Sequence, residues 1–340
     1  MFFGLVLDYL FYTTNTQCEL PFMISSQTPK ISVIVPCYNV ALQVEDLLKC
    51  LSTQDFDEPW EILFVNNRST DDSVSVIETF QGELPPYQIL SAPDTAGAGY
   101  ARNVGVKSAQ ASLVAFCDAD DEIPNDWVRK MYLAITEFGF VGCRIGERKG
   151  TAKKFSGLMS DDIGGFYNIG YLPFSGAGTL GIRKDIFDEV GGFDNHLRIC
   201  EDIDLCYRVQ LSGHPLHADP TNKIFYRAPE TEWAIYKQRF LWGRYEKVMA
   251  RRYKRFGHSQ EGVPGGPFKA LVKCGIIYLL RCYDQQKRLR YGKMVCKSLA
   301  ELLPARMEAK LPVIISESQL DPSVIARFSD DKVIEFKESA

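Results

Sequence analysis

The sequence predicts an α/β protein: a mostly parallel sheet with flanking helices, followed by a basic helical extension on its C-terminal side. Three observations predict it. Apolar runs of strand length alternate with segments of helical spacing, the rhythm of βαβ units. The runs are apolar at nearly every position, as in strands covered on both faces. One of them ends in clustered carboxylates, and open α/β sheets bind ligands beyond the carboxyl ends of their strands.

The elements follow in order. Ile31-Ser32-Val33-Ile34-Val35-Pro36 reads as the first buried strand, ending at Pro36, where a ladder hydrogen bond would be lost. Val44, Leu47, Leu48 and Leu51 then recur at helical spacing. Trp60 to Val65 reads as a second buried strand. The turn formers from Asn66 to Asp71 follow it, with Ser69, Thr70 or Asp71 available to cap a helix reaching to about Phe80. Tyr87 to Leu90 reads as a short strand, and Gly97-Ala98-Gly99 opens a helix carrying Tyr100, Arg102 and Asn103. The Gly97-x-Gly99 pair lacks the third glycine of a dinucleotide fingerprint and does not directly follow the first strand. Leu113 to Cys117 reads as the fourth strand and runs into Asp118-Ala119-Asp120-Asp121.

Three clustered carboxylates repel one another unless a cation neutralises them. The economical reading is a divalent metal site that grips a diphosphate. The plain alternative is a polar loop with Asp121 capping a helix. A second acidic motif, Glu201-Asp202-x-Asp204-Leu205-x-x-Arg208, opens a helix later in the chain. Adjacent carboxylates perturb each other, so one can be raised toward a base-like pKa and deprotonate an acceptor hydroxyl. The alternative is that both merely favour the helix dipole. Between the motifs, Gly164 to Gly181 is glycine-rich and aromatic, as functional loops are.

Composition is that of a globular chain, with 46% hydrophobic and 24% charged residues. The net charge of -4 is unevenly spread: between Lys237 and Lys310 stand 18 Lys and Arg against 5 Asp and Glu, leaving about -17 on the rest. A basic block interleaved with aromatics suits a phosphate-bearing surface; a solvated helix face is the alternative. The 10 cysteines form no C-x-x-C pair and sit mostly in apolar runs, a reduced cytosolic pattern. Cys200, Cys206, His214 and His217 match no closed zinc spacing. Met1 to Tyr12 lacks a basic start and a cleavage site, and Met23 stands just before the first strand. No apolar stretch long enough for a transmembrane helix is expected.

Six segments, ISVIVPCYN at 31–39, EILFVNNRSTD at 61–71, GYARNVG at 99–105, VAFCDADD at 114–121, GGFD at 191–194 and EDIDLCYR at 201–208, together resemble family 2 glycosyltransferases of the GT-A fold, a Rossmann-like architecture. They stand in that family's order and spacing over about residues 30 to 230. The resemblance implies a nucleotide-diphospho-sugar donor, Mg²⁺ or Mn²⁺ at the acidic loop, and transfer with inversion. It assigns Asp118 and Asp120 to the sugar and metal-diphosphate, Asp121 to the acceptor side, and Asp202 to the catalytic base with Glu201 beside it. Pro36, Tyr38, Asn67 and Arg102 would line the nucleoside pocket; the loop Ser175-Gly176-Ala177-Gly178 and the GGFD turn would shape the acceptor side. The basic aromatic stretch around Trp242 would hold the donor diphosphate or a lipid-linked acceptor. Many relatives carry an acid where this chain has Asn66 or Asn67, which puts the base preference in question.

The organisation expected is an N-terminal arm (1–29), a GT-A catalytic domain (30–232), a basic aromatic helical extension (233–310) and a tail (311–340). Expected partners are the donor, a glycan or lipid-linked acceptor and an anionic membrane surface, with no nucleic acid. The expected location is cytoplasmic, peripheral on the inner face of the plasma membrane. Two competing readings are a non-catalytic nucleotide-sugar-binding module docked on membranes and a sugar nucleotidyltransferase. The latter needs a glycine- and lysine-rich phosphate loop near the first strand, which Pro36-Cys37-Tyr38-Asn39 is not.

Overall fold

The computed structural model describes residues 28–147, 171–227, 229, 231–258, 266–280 and 283–303. The expected arm, up to residue 27, the tail 311–340 and the first part of the glycine-rich loop lie outside the described residues.

Seven strands form one sheet: β1 (Ile31–Cys37), β2 (Trp60–Asn66), β3 (Tyr87–Ser91), β4 (Leu113–Phe116), β5 (Phe140–Glu147), β6 (Leu180–Arg183) and β7 (His217–Tyr226), in the order β3-β2-β1-β4-β6-β5-β7. β3, β2, β1 and β4 run parallel, with Val33 of β1 level with Ile62 of β2 and Ala115 of β4. β6 runs antiparallel to both of its neighbours, and β7 is parallel to β5. The sheet is therefore mostly parallel, as expected, with a reversed strand beyond β4.

The near-continuous apolar runs follow from burial on both faces. Ile34, Leu63, Val65 and Phe116 point to one side, among Phe187, Phe193 and Leu205; Val33, Val35, Ile62 and Phe64 point to the other, among Leu47, Leu48 and Trp127. Alternate residues of a strand face opposite ways, so two cores require apolar side chains at every position. Helices α1 (Val44–Ser52) and α4 (Trp127–Phe138) cover the second side; α3 (Ala98–Ser108), α5 (Lys184–Glu189) and α6 (Glu201–Leu211) cover the first. The remaining early helix, α2 (Ser73–Glu78), is shorter than expected. Its first turn is held by Asp71, which accepts from the Ser73 amide at 3.2 Å. Gly105 has a packing reason: a Cβ there would lie 2.4 Å from Cγ2 of Ile34, so α3 lies against β1 at backbone distance.

Three further helices follow: α7 (Glu232–Arg252), α8 (Pro267–Leu280) and α9 (Gln285–Leu302). The end of α7 is locked into the sheet-bearing body. Arg252 is buried and pairs with Asp194 at 2.7 Å and with Asp204 of α6 at 3.0 Å. Tyr253 donates to Asp204 at 2.8 Å, and Arg208 Nε donates to the same carboxylate at 2.8 Å. α9 packs along α7 where Gly292 meets the Tyr236 ring; a Cβ would come within 2.5 Å of it. Arg288 pairs with Glu232 across the same interface.

Replacing Arg252 would strand the buried carboxylates of Asp194 and Asp204 without their shared cation. Arg252→Ala is expected to lose about 3–5 kcal/mol of stability, the usual result of breaking one side of a buried ion pair. Urea unfolding followed by tryptophan fluorescence measures it; a loss below about 1 kcal/mol would mean the network contributes no more than a surface pair.

Candidate active site

β1 and β4 lie side by side in mid-sheet, with β2 and β3 beyond one and β6, β5 and β7 beyond the other. The chain leaves β1 toward β2 and β4 toward β5, and the carboxyl ends of these strands are the edge where open α/β sheets usually bind ligands. The loops after β1, β2 and β4 border it, and cross-links between the first two hold their shape. Asn39, at φ 52, accepts from the Thr70 amide at 2.8 Å, and Asp71 accepts from the Ala41 amide at 3.0 Å.

The two acidic motifs meet through one arginine. Arg102, in the second turn of α3, donates through Nη2 to Asp118 and through Nη1 to Glu201 at 3.2 Å. It is 3% exposed, with its guanidinium 5.5 Å from the Phe193 ring centroid. Gly99 permits this convergence: a Cβ there would lie 3.2 Å from Phe193 Cβ and 3.3 Å from Glu201 Cγ. Gly178 backs Asp118 just as closely, a Cβ falling 2.7 Å from its Cγ. Arg102 therefore sits between carboxylates rather than on the wall of an open nucleoside pocket.

Asn67 also differs from its expected position. It is buried; its amide donates to the carbonyls of Ala92 and Thr95 and accepts from the Gly97 amide at 2.9 Å. Both amide protons and the oxygen are used, so Asn67 shapes the turn into α3 instead of meeting a base edge. Pro36 is half-buried near the end of β1, whereas Tyr38 is 62% exposed just beyond it, with its ring free to stack.

Within the acidic loop, Asp118 and Asp120 are half-buried and Asp121 is 1% exposed. Asp121 does not cap a helix, because α4 begins only at Trp127 after Asp126. Its Oδ1 accepts from the Arg227 amide at 3.3 Å, while Oδ2 has no hydrogen-bond partner among the described residues. Burial, then the charges of Asp118 and Asp120, push its pKa up to about 9. Arg227 also donates to the Asp120 carbonyl at 3.3 Å and pairs with Asp46 at 2.8 Å, tying the end of β7 to this loop. Arg227 was not singled out from sequence, and no motif marks it. Gly178 belonged to the loop expected to shape the acceptor side; its close backing of Asp118 is a tertiary contact.

Glu201 and Asp202 open α6 behind Cys200, which adopts the left-handed conformation at φ 63. Such a φ is disfavoured by about 1–2 kcal/mol for a residue with a Cβ; here it turns the chain sharply so that both carboxylates start the helix. Burial and the neighbouring Asp202 push the Glu201 pKa up to about 7, against the opposing charge of Arg102. Burial likewise raises Asp202, whose Oδ1 accepts from the Ile203 amide at 2.8 Å. On the remaining wall, Gly176 has open space where a Cβ would be, and Ala177 is buried in a 3₁₀ turn beside it. Trp242 is half-buried in α7, one turn beyond Gln238, which donates to the Tyr226 hydroxyl at the end of β7.

Among the described residues, no three His, Cys, Asp or Glu side chains gather as a dedicated metal cage. The donor set still fits a hard cation of the Mg²⁺ type, which is commonly bound by one or two carboxylates and completed by substrate phosphates. The orphaned Oδ2 of Asp121 and the half-buried Asp118 and Asp120 supply oxygen donors of that kind.

A sheet that gathers a DxD loop and a second acidic helix at its crevice defines the GT-A class of fold. Residues 32–191 match the family model described as Glycosyl transferase family 2. It is 26% identical over 202 residues to "Glycosyltransferase AglE" of Haloferax volcanii, covering 56% of this chain and 65% of that protein. It is 23% identical over 274 residues to "Poly-beta-1,6-N-acetyl-D-glucosamine synthase" of Staphylococcus epidermidis, covering 76% of this chain and 65% of the relative. The chain thus spans a little under two thirds of the length of each. The fold matches the mannosyltransferase PcManGT of Pyrobaculum calidifontis, solved with GDP-Man and Mn²⁺, with a TM-score of 0.54 and 18% identity over 81% of this chain and 74% of that one.

Replacing the bridge by an isosteric apolar residue, Arg102→Met, leaves Asp118 and Glu201 facing each other without a cation. Glu201, already raised by burial and by Asp202, loses the opposing charge of Arg102, so the penalty grows as pH rises past the ordinary carboxylate range. A stability loss of about 3–5 kcal/mol is expected near pH 8, shrinking toward pH 5, where Glu201 is protonated. Denaturant unfolding at the two pH values measures it; a loss independent of pH would refute the bridge.

Proposed function

We propose that this chain is an inverting glycosyltransferase that moves a sugar from a nucleotide-diphosphate donor to an acceptor hydroxyl. The Arg102 bridge carries the reading, because it sets the donor-side carboxylates against the Glu201-Asp202 pair across one crevice. The match of residues 32–191 to that family's model and the charge and burial of these groups support the same chemistry.

In this reading Tyr38 stacks on the base, and Asn67 acts indirectly by holding the turn into α3. Asp118 and Asp120 address the sugar and the diphosphate, with Asp121 behind them. A bound Mg²⁺ or Mn²⁺ would supply charge neutralisation to the departing diphosphate. Asp202 is the base. Its Oδ1 is engaged by the Ile203 amide, so Oδ2 takes the acceptor's proton. The acceptor oxygen forms its bond to the anomeric carbon as the bond to the diphosphate oxygen breaks. The electron pair leaves with the nucleoside diphosphate, and the configuration inverts. Glu201, held by Arg102, keeps negative charge beside Asp202 and raises its affinity for a proton. Gly176, Ala177 and Trp242 border the acceptor side.

The acceptor we infer is a glycan or lipid-linked hydroxyl in cell-surface polysaccharide synthesis; the name of the staphylococcal relative, a poly-N-acetylglucosamine synthase, supports a polysaccharide product. The protein would work as a peripheral enzyme at the inner face of the plasma membrane.

Sugar nucleotides offered one at a time with Mn²⁺ should yield one or a few donors from which nucleoside diphosphate is released. EDTA and Asp120→Ala should abolish that release; release of pyrophosphate instead would indicate a nucleotidyltransferase, and no donor binding at all would refute the reading. Asp202→Asn should retain donor binding and lose about 10²–10⁴-fold in transfer. A base must be deprotonated to act, and this pair is raised rather than lowered. The transfer rate should therefore climb as pH rises above the ordinary carboxylate range and level off once this raised pair has lost its protons. A flat profile from pH 5 to 9 would exclude a raised carboxylate as base.

A further inference from the structure

Helix α8 has the composition of a buried helix but lacks a cover. Only Ala270 and Cys274 are buried in it, and they face α9, where Cys274 Sγ lies 3.9 Å from Met294 Sδ. On its other side, Phe268, Val272, Ile276, Leu279 and Leu280 are between 47% and 72% exposed. At about 100° per residue these five fall within an arc of about 120°, the width of an apolar stripe that a globular protein normally packs away. Tyr283, just past the helix, extends the row and is more exposed still. Lys269 is exposed inside one edge of the stripe, next to Leu280, and Lys273 is exposed just beyond that edge.

Charge decides what fits. Over residues 267–303 there are 8 Lys and Arg against 2 Asp and Glu, so the segment is strongly basic, and Lys269 and Lys273 are the cations beside the stripe. A basic border on an apolar face complements an anionic headgroup layer above an acyl layer, as in helices that lie in the membrane interface. A second copy of this chain would bring the same positive charge against itself. At 14 residues α8 is about 21 Å long, too short to cross a hydrocarbon core of about 30 Å. Among the described residues no helix is long and apolar enough to cross a membrane.

We infer that the exposed face of α8 is a membrane-docking surface. It lies flat in the headgroup region of an anionic bilayer, with the apolar stripe inserted and Lys269 and Lys273 on lipid phosphates. This deepens the peripheral placement proposed above, and its readout is lipid binding, which does not depend on turnover.

The full chain is tested by flotation with phosphatidylcholine vesicles with or without phosphatidylglycerol. Wild type should float with the anionic vesicles and not with the neutral ones. The triple variant Val272→Ser, Ile276→Ser, Leu279→Ser changes exposed positions only and should lose at least tenfold in partition. Lys269→Glu with Lys273→Glu should lose roughly fivefold per lysine at low salt, and less at high salt. Donor hydrolysis by the same variants serves as the check on folding and should be unchanged. Failure of the wild type to bind anionic vesicles at low salt overturns the inference, as does equal binding by the triple variant. A wild-type dimer that the triple variant converts to monomer would assign the face to a second copy and also overturn it. Loss of hydrolysis in all proteins with vesicle binding intact would count against the proposed function alone.

Discussion

The buried guanidinium of Arg102 is the interaction on which the site depends. Asp118 ends a strand at the middle of the sheet, and Glu201 begins a helix from the other half of the body; nothing local brings them together. Two carboxylates at this depth would repel each other and resist desolvation. One cation between them offsets both effects, and it is itself affordable in the interior only because it is doubly paired. The arginine is the shared member: without it both carboxylates lose their cation, whereas loss of one carboxylate leaves Arg102 paired with the other.

The packing that sets up this contact is made of glycines. Gly99 lets the start of α3 lie against Glu201 and Phe193, and Gly178 lets the 3₁₀ turn press on Asp118. Each allows backbone to approach where a side chain would push the acidic groups apart. Behind α6 a second buried network does for the helix what Arg102 does for its first residue. Asp204 takes Arg208, Arg252 and Tyr253 together, so the C-terminal end of α7 braces the helix that carries the candidate base. The basic region that seemed separable by composition is thereby coupled to the site at one end, while α8 carries an apolar face outward at the other.

Much of this was legible in the residues. The strands of the first half read correctly to within a residue or so, because burial on both faces leaves an unbroken apolar signature. α1, α3 and α6 were also legible from spacing and glycine punctuation. α4 and β5 were not expected, although Trp127, Val128, Met131 and Ile135 stand at helical spacing just after the acidic loop. The reversed β6 could not be seen either, for strand direction leaves no mark in a four-residue run such as Leu180–Arg183. Among the site residues, Asp118, Asp120, Glu201 and Asp202 stood out because clustered carboxylates are conspicuous. Asn67 and Arg102 were noticed, but their contacts were misjudged: a polar side chain in a loop looks the same in sequence whether it faces a ligand or satisfies a buried carbonyl.

The sequence by itself determined the α/β class, the positions of the early strands and the two acidic motifs, because periodicity and charge clustering are local properties. Only the tertiary structure decided that those motifs meet, that Arg102 lies between them, that Asn67 turns inward and that α8 is left uncovered. Each of these is a contact between residues far apart in the chain, or the lack of one. Such pairings depend on which backbones can approach closely enough, and no local pattern records that.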